Sequence, residues 1–125
     1  VPKSHPLANK KKINIADVKE EPFILFSKQY SASYYDLVMS IFRDHQFEPN
    51  VALRTVNALS IFNLVSQGLG IAIVPSSLKN GYHIDVDFIE LTHIPQRTTL
   101  HLAWNQDNRN RGIPIFIDIL KEIIK

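Results

Sequence analysis

The stretch Ala58 to Pro75, ALSIFNLVSQGLGIAIVP, decides the fold. Its first half carries Leu59, Ile61, Phe62, Leu64 and Val65 on every side of a helical wheel, so it predicts a helix that is largely enclosed. Gly68 stands where the chain must leave that helix, because glycine enters the left-handed conformation without a Cβ clash. Gly70 follows. The continuous run Ile71, Ala72, Ile73, Val74 then predicts a strand covered on both faces, as in a parallel sheet flanked by helices.

Upstream, the same grammar occurs twice. Pro22 to Phe26, PFILF, is a compact apolar run and predicts a strand. The polar loop SKQYSAS follows, and Ser33 with Asp36 three residues on has the form of a capping box at a helix start. Tyr34, Leu37, Val38, Ile41 and Phe42 then share one helical face, and Arg43 and His45 close the helix near the negative end of its dipole. After a turn around Pro49, Val51, Leu53, Thr55 and Val56 predict a second strand, and Asn57 sits where a helix cap belongs. Two strand-to-helix loops on one edge of a parallel sheet make a crevice at the carboxyl ends of the strands, where open α/β folds bind ligands. The serines and Asn57 suit an anion there, and they suit plain capping as well.

Ile13, Ile15 and Val18 ahead of Pro22 predict a short amphipathic turn. Downstream of Pro75, SSLKN predicts a helical turn broken at Gly81, and Tyr82, Ile84, Val86 and Phe88 alternate as a half-exposed strand with Asp85 and Asp87 on its solvated face. Thr99 to Asn105 predicts another strand with Leu100, Leu102 and Trp104 together, and His101 opposite them as a satisfied strand residue. Pro114 suits the first turn of a last helix whose stripe of Phe116, Ile119, Leu120 and Ile123 needs a partner surface.

Composition narrows the function. The chain has 125 residues and 45% hydrophobic content, enough for one domain or subdomain. Its longest apolar runs fall far short of the roughly 20 residues that cross a bilayer. Cysteine is absent, which removes thiolate chemistry and fits a reducing compartment. A net charge of +2, with the one basic run at Lys10 to Lys12 in a proline-bearing connector, argues against nucleic-acid binding by this domain. There is no phosphate loop, no HExxH and no nucleophile elbow, and the five histidines lack metal-ligand spacing, so neither a cofactor nor an enzyme is expected. A binding module remains.

Several segments resemble one family: HPLA at His5 to Ala8, DVKEEPFILFS at Asp17 to Ser27, FRDHQFEPNVA at Phe42 to Ala52, the stretch Val56 to Ser77, LHLAWN at Leu100 to Asn105, and the last helix. In this order they resemble the effector-binding domain of LysR-type transcriptional regulators. The resemblance implies an α/β fold of the periplasmic-binding-protein type II kind, Rossmann-like, with a mostly parallel sheet flanked by helices. It also implies a division of the chain. Residues 1–14 would be the crossing from a mostly absent first regulatory subdomain, 15–95 the second subdomain, and 96–125 the strand and helix returning to the first.

What the resemblance implies for function is a small effector between the subdomains, a cytoplasmic bacterial protein, and a homo-oligomer, a tetramer at full length. Promoter DNA would be bound through an N-terminal domain outside this chain. Carried over residue by residue, the effector site comprises Phe26, Ser27, Ser31 and Ser33, then Thr55, Val56 and Asn57 at the next strand-helix junction. Ser27 would hold a carboxylate while Phe26 covers its apolar body. An aromatic acid is one such effector, although members that sense aromatic acids often have proline where this chain has Ser27. The rival expectations are an extracytoplasmic solute-binding protein, which shares the cleft, and a stand-alone interaction domain using the last helix.

Overall fold

The computed structural model describes residues 1–124. Its elements are β1 (Lys12–Ile13), β2 (Pro22–Phe26), α1 (Ala32–Asp44), β3 (Asn50–Thr55), α2 (Ala58–Ser66), β4 (Glu90–Leu91) and α3 (Gly112–Ile123), with 3-10 turns at Ile15–Val18 and Ser76–Asn80. β2 and β3 run parallel, with Phe23 opposite Val51 and Phe26 opposite Thr55. β1 and β4 form a second parallel pair, Lys12 opposite Glu90 and Ile13 opposite Leu91. Among the described residues, no helix is long and apolar enough to cross a membrane.

The alternation along β2 builds three layers. Phe23 and Leu25 point to one side, where they join Val38, Ile41 and Phe42 of α1 and Ile15 and Val18 of the first 3-10 turn. Ile24 points to the other side and meets Ile61, Phe62 and Val65 of α2. A strand buried on both faces is what the unbroken apolar run PFILF demands. Phe42 anchors the first layer, its ring edge-on to Phe23 at 4.9 Å and to Phe47 at 5.4 Å.

The organising stretch is partly as expected. Asn57 caps α2, its carboxamide oxygen accepting the Ser60 N–H at 2.8 Å, and Gly68 leaves the helix at φ +78°. α2 is not enclosed all round, however. Ile61, Phe62 and Val65 are buried while Leu59 is 50% exposed, because only one side of the helix has a sheet beneath it. Nor does Ile71 to Val74 continue as a strand. Ile71 makes a single parallel bridge to Phe23, and two residues on the Ile73 carbonyl accepts the Tyr34 hydroxyl at 2.9 Å in place of a ladder amide.

Four further expectations are corrected. α1 starts two residues earlier than the Ser33–Asp36 capping box required: Ser31 is the cap residue, and Asp36 instead pairs with Lys28 at 3.4 Å. The segment Tyr82 to Phe88 is not a strand, since Val86 makes only an isolated antiparallel bridge to Pro2, a residue with no N–H to extend the pairing. Asp85 and Asp87 consequently do not share a solvated strand face. Asp85 pairs with Lys3 at 2.6 Å, and the Asp87 carboxylate accepts the Asn9 N–H at 3.3 Å. Finally, Thr99 to Asn105 has no partner strand among the described residues and lies exposed, His101 included, so its alternation is not used there.

The leading segment is strapped to the 85–92 segment rather than hanging free. The Asp87 N–H donates to the Val1 carbonyl at 2.8 Å, and the Thr92 hydroxyl reaches the Ile13 carbonyl at 3.1 Å and the Asn14 carboxamide at 2.9 Å. His5 in this segment accepts the Leu7 N–H on Nδ1 at 3.1 Å and directs Nε2 to Glu21 at 3.2 Å.

Candidate functional site

Because β2 and β3 are parallel and each leads into a helix, both strand ends and both helix starts fall on one edge. The Ser27 N–H donates to the Thr55 carbonyl at 2.7 Å, which extends the ladder one residue past β2 and holds the two loops side by side. The Ser27 carbonyl then accepts the N–H groups of Tyr30 at 3.1 Å and Ser31 at 3.3 Å, turning the chain into α1. Phe26 closes the edge from below, its ring edge-on to Tyr34 at 5.1 Å.

Most of the sequence-derived candidates therefore meet. Phe26, Ser27, Thr55 and Val56 come together at the adjacent strand ends, and Ser31 stands at the start of α1. Ser31 is the cap residue by position, yet its hydroxyl caps nothing. Among the described residues, the N–H groups of Ala32, Ser33 and Tyr34 have no partner in the first turn, where the helix carries its positive partial charge. Ser33 lies exposed on that turn. Asn57 is different: its carboxamide oxygen is committed to α2, so only its amide end faces outward with work to do. Val56 is half exposed beside it.

The sequence pattern did not assign four aromatic and cationic neighbours to the site. Tyr34 underlies the edge, and burial pushes its phenol above the ordinary tyrosine value. Tyr35 is flanked by two cations, Lys28 at 5.8 Å and Arg54 at 5.7 Å from its ring centre. Lys28 lies two residues past the end of β2 and Arg54 one residue before the end of β3, and the parallel pairing of the two strands brings both to this ring. Cations beside open helix N–H groups favour an anion at this edge.

Size limits what the edge does alone. The recess beneath it, lined by Leu25, Phe26, Tyr34, Tyr35, Val38 and Ile73, has a volume near 10 Å³, about one water. The edge is thus a rim that walls a ligand on one side. No group of acidic, histidine or cysteine side chains suited to a metal occurs among the described residues.

A parallel α/β unit with an open, anion-favouring rim at its strand ends defines a small-molecule binding module. A family model of the LysR substrate binding domain matches residues 1–124. The chain is 32% identical to the HTH-type transcriptional regulator AlsR of Bacillus subtilis, covering 95% of this chain and 39% of that protein. It is 31% identical to the HTH-type transcriptional regulator TtuA of Agrobacterium vitis (96% and 41%) and 29% identical to the Hca operon transcriptional activator HcaR of Escherichia coli (98% and 41%). This chain belongs to the LysR substrate-binding domain family, the effector-binding part of LysR-type transcriptional regulators. It spans about two-fifths of the length of the curated relatives it matches, and those relatives are regulators, not transport receptors.

Proposed function

We propose that the chain senses a small anionic metabolite at the β2/β3 edge and so controls promoter binding by a LysR-type regulator. The observation that carries this reading is the Ser27–Thr55 tie, which sets an uncommitted Ser31 hydroxyl and the open first turn of α1 beside Lys28 and Arg54. Phe26, Ser27, Ser31, Ser33, Thr55, Val56 and the amide of Asn57 supply the rim. A carboxylate binds the hydroxyls and N–H groups, and its apolar body rests on Phe26. The opposing wall comes from a first subdomain, to which residues 1–14 lead and from which residues 96–125 return, with 15–95 as the second subdomain. An effector touching both walls favours one hinge arrangement, by no more than its differential affinity for the two states. The regulator works as a cytoplasmic tetramer on DNA, reached through its N-terminal domain, and catalyses no reaction.

Thermal-shift titration of the full-length regulator tests this with acetate, succinate and benzoate and the matching neutral amides. A carboxylate is expected to raise Tm where its amide does not, and Ser27→Ala and Ser31→Ala are expected to remove the rise. A ligand that stabilises both variants as well as the parent protein binds elsewhere, and the rim assignment falls.

A further inference from the structure

His5, the first residue of the HPLA segment, is a titratable side chain that the rim does not use, and its ring is only 9% exposed. Nδ1 accepts the Leu7 N–H at 3.1 Å, so the neutral ring carries its proton on Nε2. Nε2 lies 3.2 Å from Glu21 Oε1, yet it is buried and has no well-aligned hydrogen bond among the described residues. The ring is set for Leu7 at the expense of Glu21.

The bond to Leu7 belongs to a tight turn. The His5 N–H donates to the Pro2 carbonyl at 3.0 Å, the Ala8 N–H to the His5 carbonyl at 2.8 Å and the Lys10 N–H to the Leu7 carbonyl at 3.1 Å. This turn seats Leu7 against the core on the α1 side. It is fixed to the 85–92 segment near each end, by Lys3 to Asp85 at 2.6 Å and by the Asn9 N–H to the Asp87 carboxylate at 3.3 Å. Glu21 faces the other ring nitrogen from the residue just before β2.

Protonation reverses the balance. Histidine is the side chain whose charge ordinarily changes between about pH 5 and 8. An imidazolium has two N–H donors and no acceptor, so Nδ1 can no longer hold the Leu7 N–H. The Glu21 contact becomes charge-assisted, the stronger kind of hydrogen bond. Glu21 is the one acid within ion-pair reach of the ring among the described residues. The neighbouring charges are engaged elsewhere or face water: Lys3 pairs with Asp85, Asp17 accepts the Asn14 N–H at 2.9 Å, Lys19 stands over the Phe47 ring at 6.0 Å, and Glu20 is exposed.

We infer that His5 is a two-position latch on the leading segment. Neutral, it holds the Leu7 N–H and closes the turn. Protonated, it releases Leu7 and pairs with Glu21, so that residues 1–14 are held less firmly in acid.

NMR of the imidazole nitrogens and backbone amides of the 125-residue chain, between about pH 5 and 8, tests the latch. At the alkaline end His5 is expected to show its proton on Nε2. On acidification the Leu7 amide shift should follow the His5 ring. The protection factors of Leu7 and Ala8, corrected for the intrinsic effect of pH on exchange, should fall about fivefold, the equivalent of one hydrogen bond. His5→Asn keeps a side-chain acceptor for the Leu7 N–H, as in an Asx-turn, and has nothing to protonate, so its protection should be equal at both ends of the range. A neutral ring with its proton on Nδ1 overturns the inference. So does a ring that stays neutral throughout, or one that titrates while Leu7 and Ala8 keep their protection. These three outcomes are read on the parent chain and do not depend on how well the variant folds. A fall in protection that persists in His5→Asn overturns it as well, by placing the titrating group elsewhere.

Discussion

The Ser27 amide and the Thr55 carbonyl, 2.7 Å apart, join the loops that leave β2 and β3. Ser27→Pro removes that donor without disturbing Phe26, which is already extended as a residue before proline must be. The Thr55 carbonyl is then left to water. The expected cost is about 1–2 kcal/mol by urea denaturation, whereas Ser27→Ala, which keeps the amide, should stay within about 0.5 kcal/mol of the parent.

Ser31 and Asn57 occupy the same position at the starts of α1 and α2, but only Asn57 bonds the helix it precedes, to Ser60 at 2.8 Å. Asn57→Ala is therefore expected to destabilise the chain by about 1 kcal/mol, and Ser31→Ala by much less. Equal urea midpoints for the two variants would mean that Ser31 caps α1 in solution and that its hydroxyl is not available to a ligand.

The two glycines of the organising stretch are needed for different reasons. Gly68 has φ +78° with open space around it, so Gly68→Ala meets only the left-handed backbone penalty, about 1–2 kcal/mol. At Gly70 a Cβ would lie 2.7 Å from the Pro22 carbonyl oxygen and 3.1 Å from Ile24 Cγ1, in the place where the chain passes β2. Gly70→Ala should cost more than Gly68→Ala and should lower the yield of folded protein, which parallel expression and denaturation of the two variants will show.

The structure rewards some sequence patterns and not others. β2, α1 and α2 were legible because their burial follows from their own periodicity, with Phe23, Phe42 and Phe62 all at 2% exposure or less. The runs at Ile71, Tyr82 and Thr99 have strand-like patterns, but a strand also requires a partner edge, which a local pattern does not contain. At the rim, the pairing of Ser27 with Thr55 followed from two strand-loop-helix units in parallel. Which serine caps α1 did not, because Ser31 and Ser33 offer the same hydroxyl two residues apart. The flanking of Tyr35 by Lys28 and Arg54 depends on register between two strands and was invisible in either one.

Tyr34 sets an alkaline limit. Its hydroxyl donates to the Ile73 carbonyl at 2.9 Å, and burial holds its pKa above the ordinary value of 10.0. An acid whose folded pKa is raised stabilises the fold fully below its unfolded pKa and loses that contribution as pH rises toward the folded one. Stability should thus fall as pH climbs above about 10, the unfolded tyrosine value. Tyr34→Phe should be about 1 kcal/mol less stable at pH 7, through the lost hydrogen bond, and should show a shallower decline between pH 9 and 11. The difference between the two pH curves isolates Tyr34 from the lysines and other tyrosines that titrate alongside it.

Two phenylalanines with similar sequence surroundings should behave in opposite ways. Phe42, on the inner face of α1, is 1% exposed and packs edge-on against Phe23 and Phe47. Phe116, on the apolar stripe of α3, is 52% exposed, and its neighbours Ile119 and Ile123 are 49% and 73% exposed. Removing a buried ring forfeits its transfer energy and leaves a cavity, so Phe42→Ala should cost about 3–5 kcal/mol in the isolated chain. Phe116→Ala removes a ring that is already half in water, and should change the urea midpoint by less than about 1 kcal/mol equivalent. In the full-length regulator the second value becomes diagnostic. If α3 packs there on the remainder of the protein, Phe116→Ala should approach the cost of a buried ring, and a value unchanged from the isolated chain would leave the α3 stripe exposed in the whole protein too.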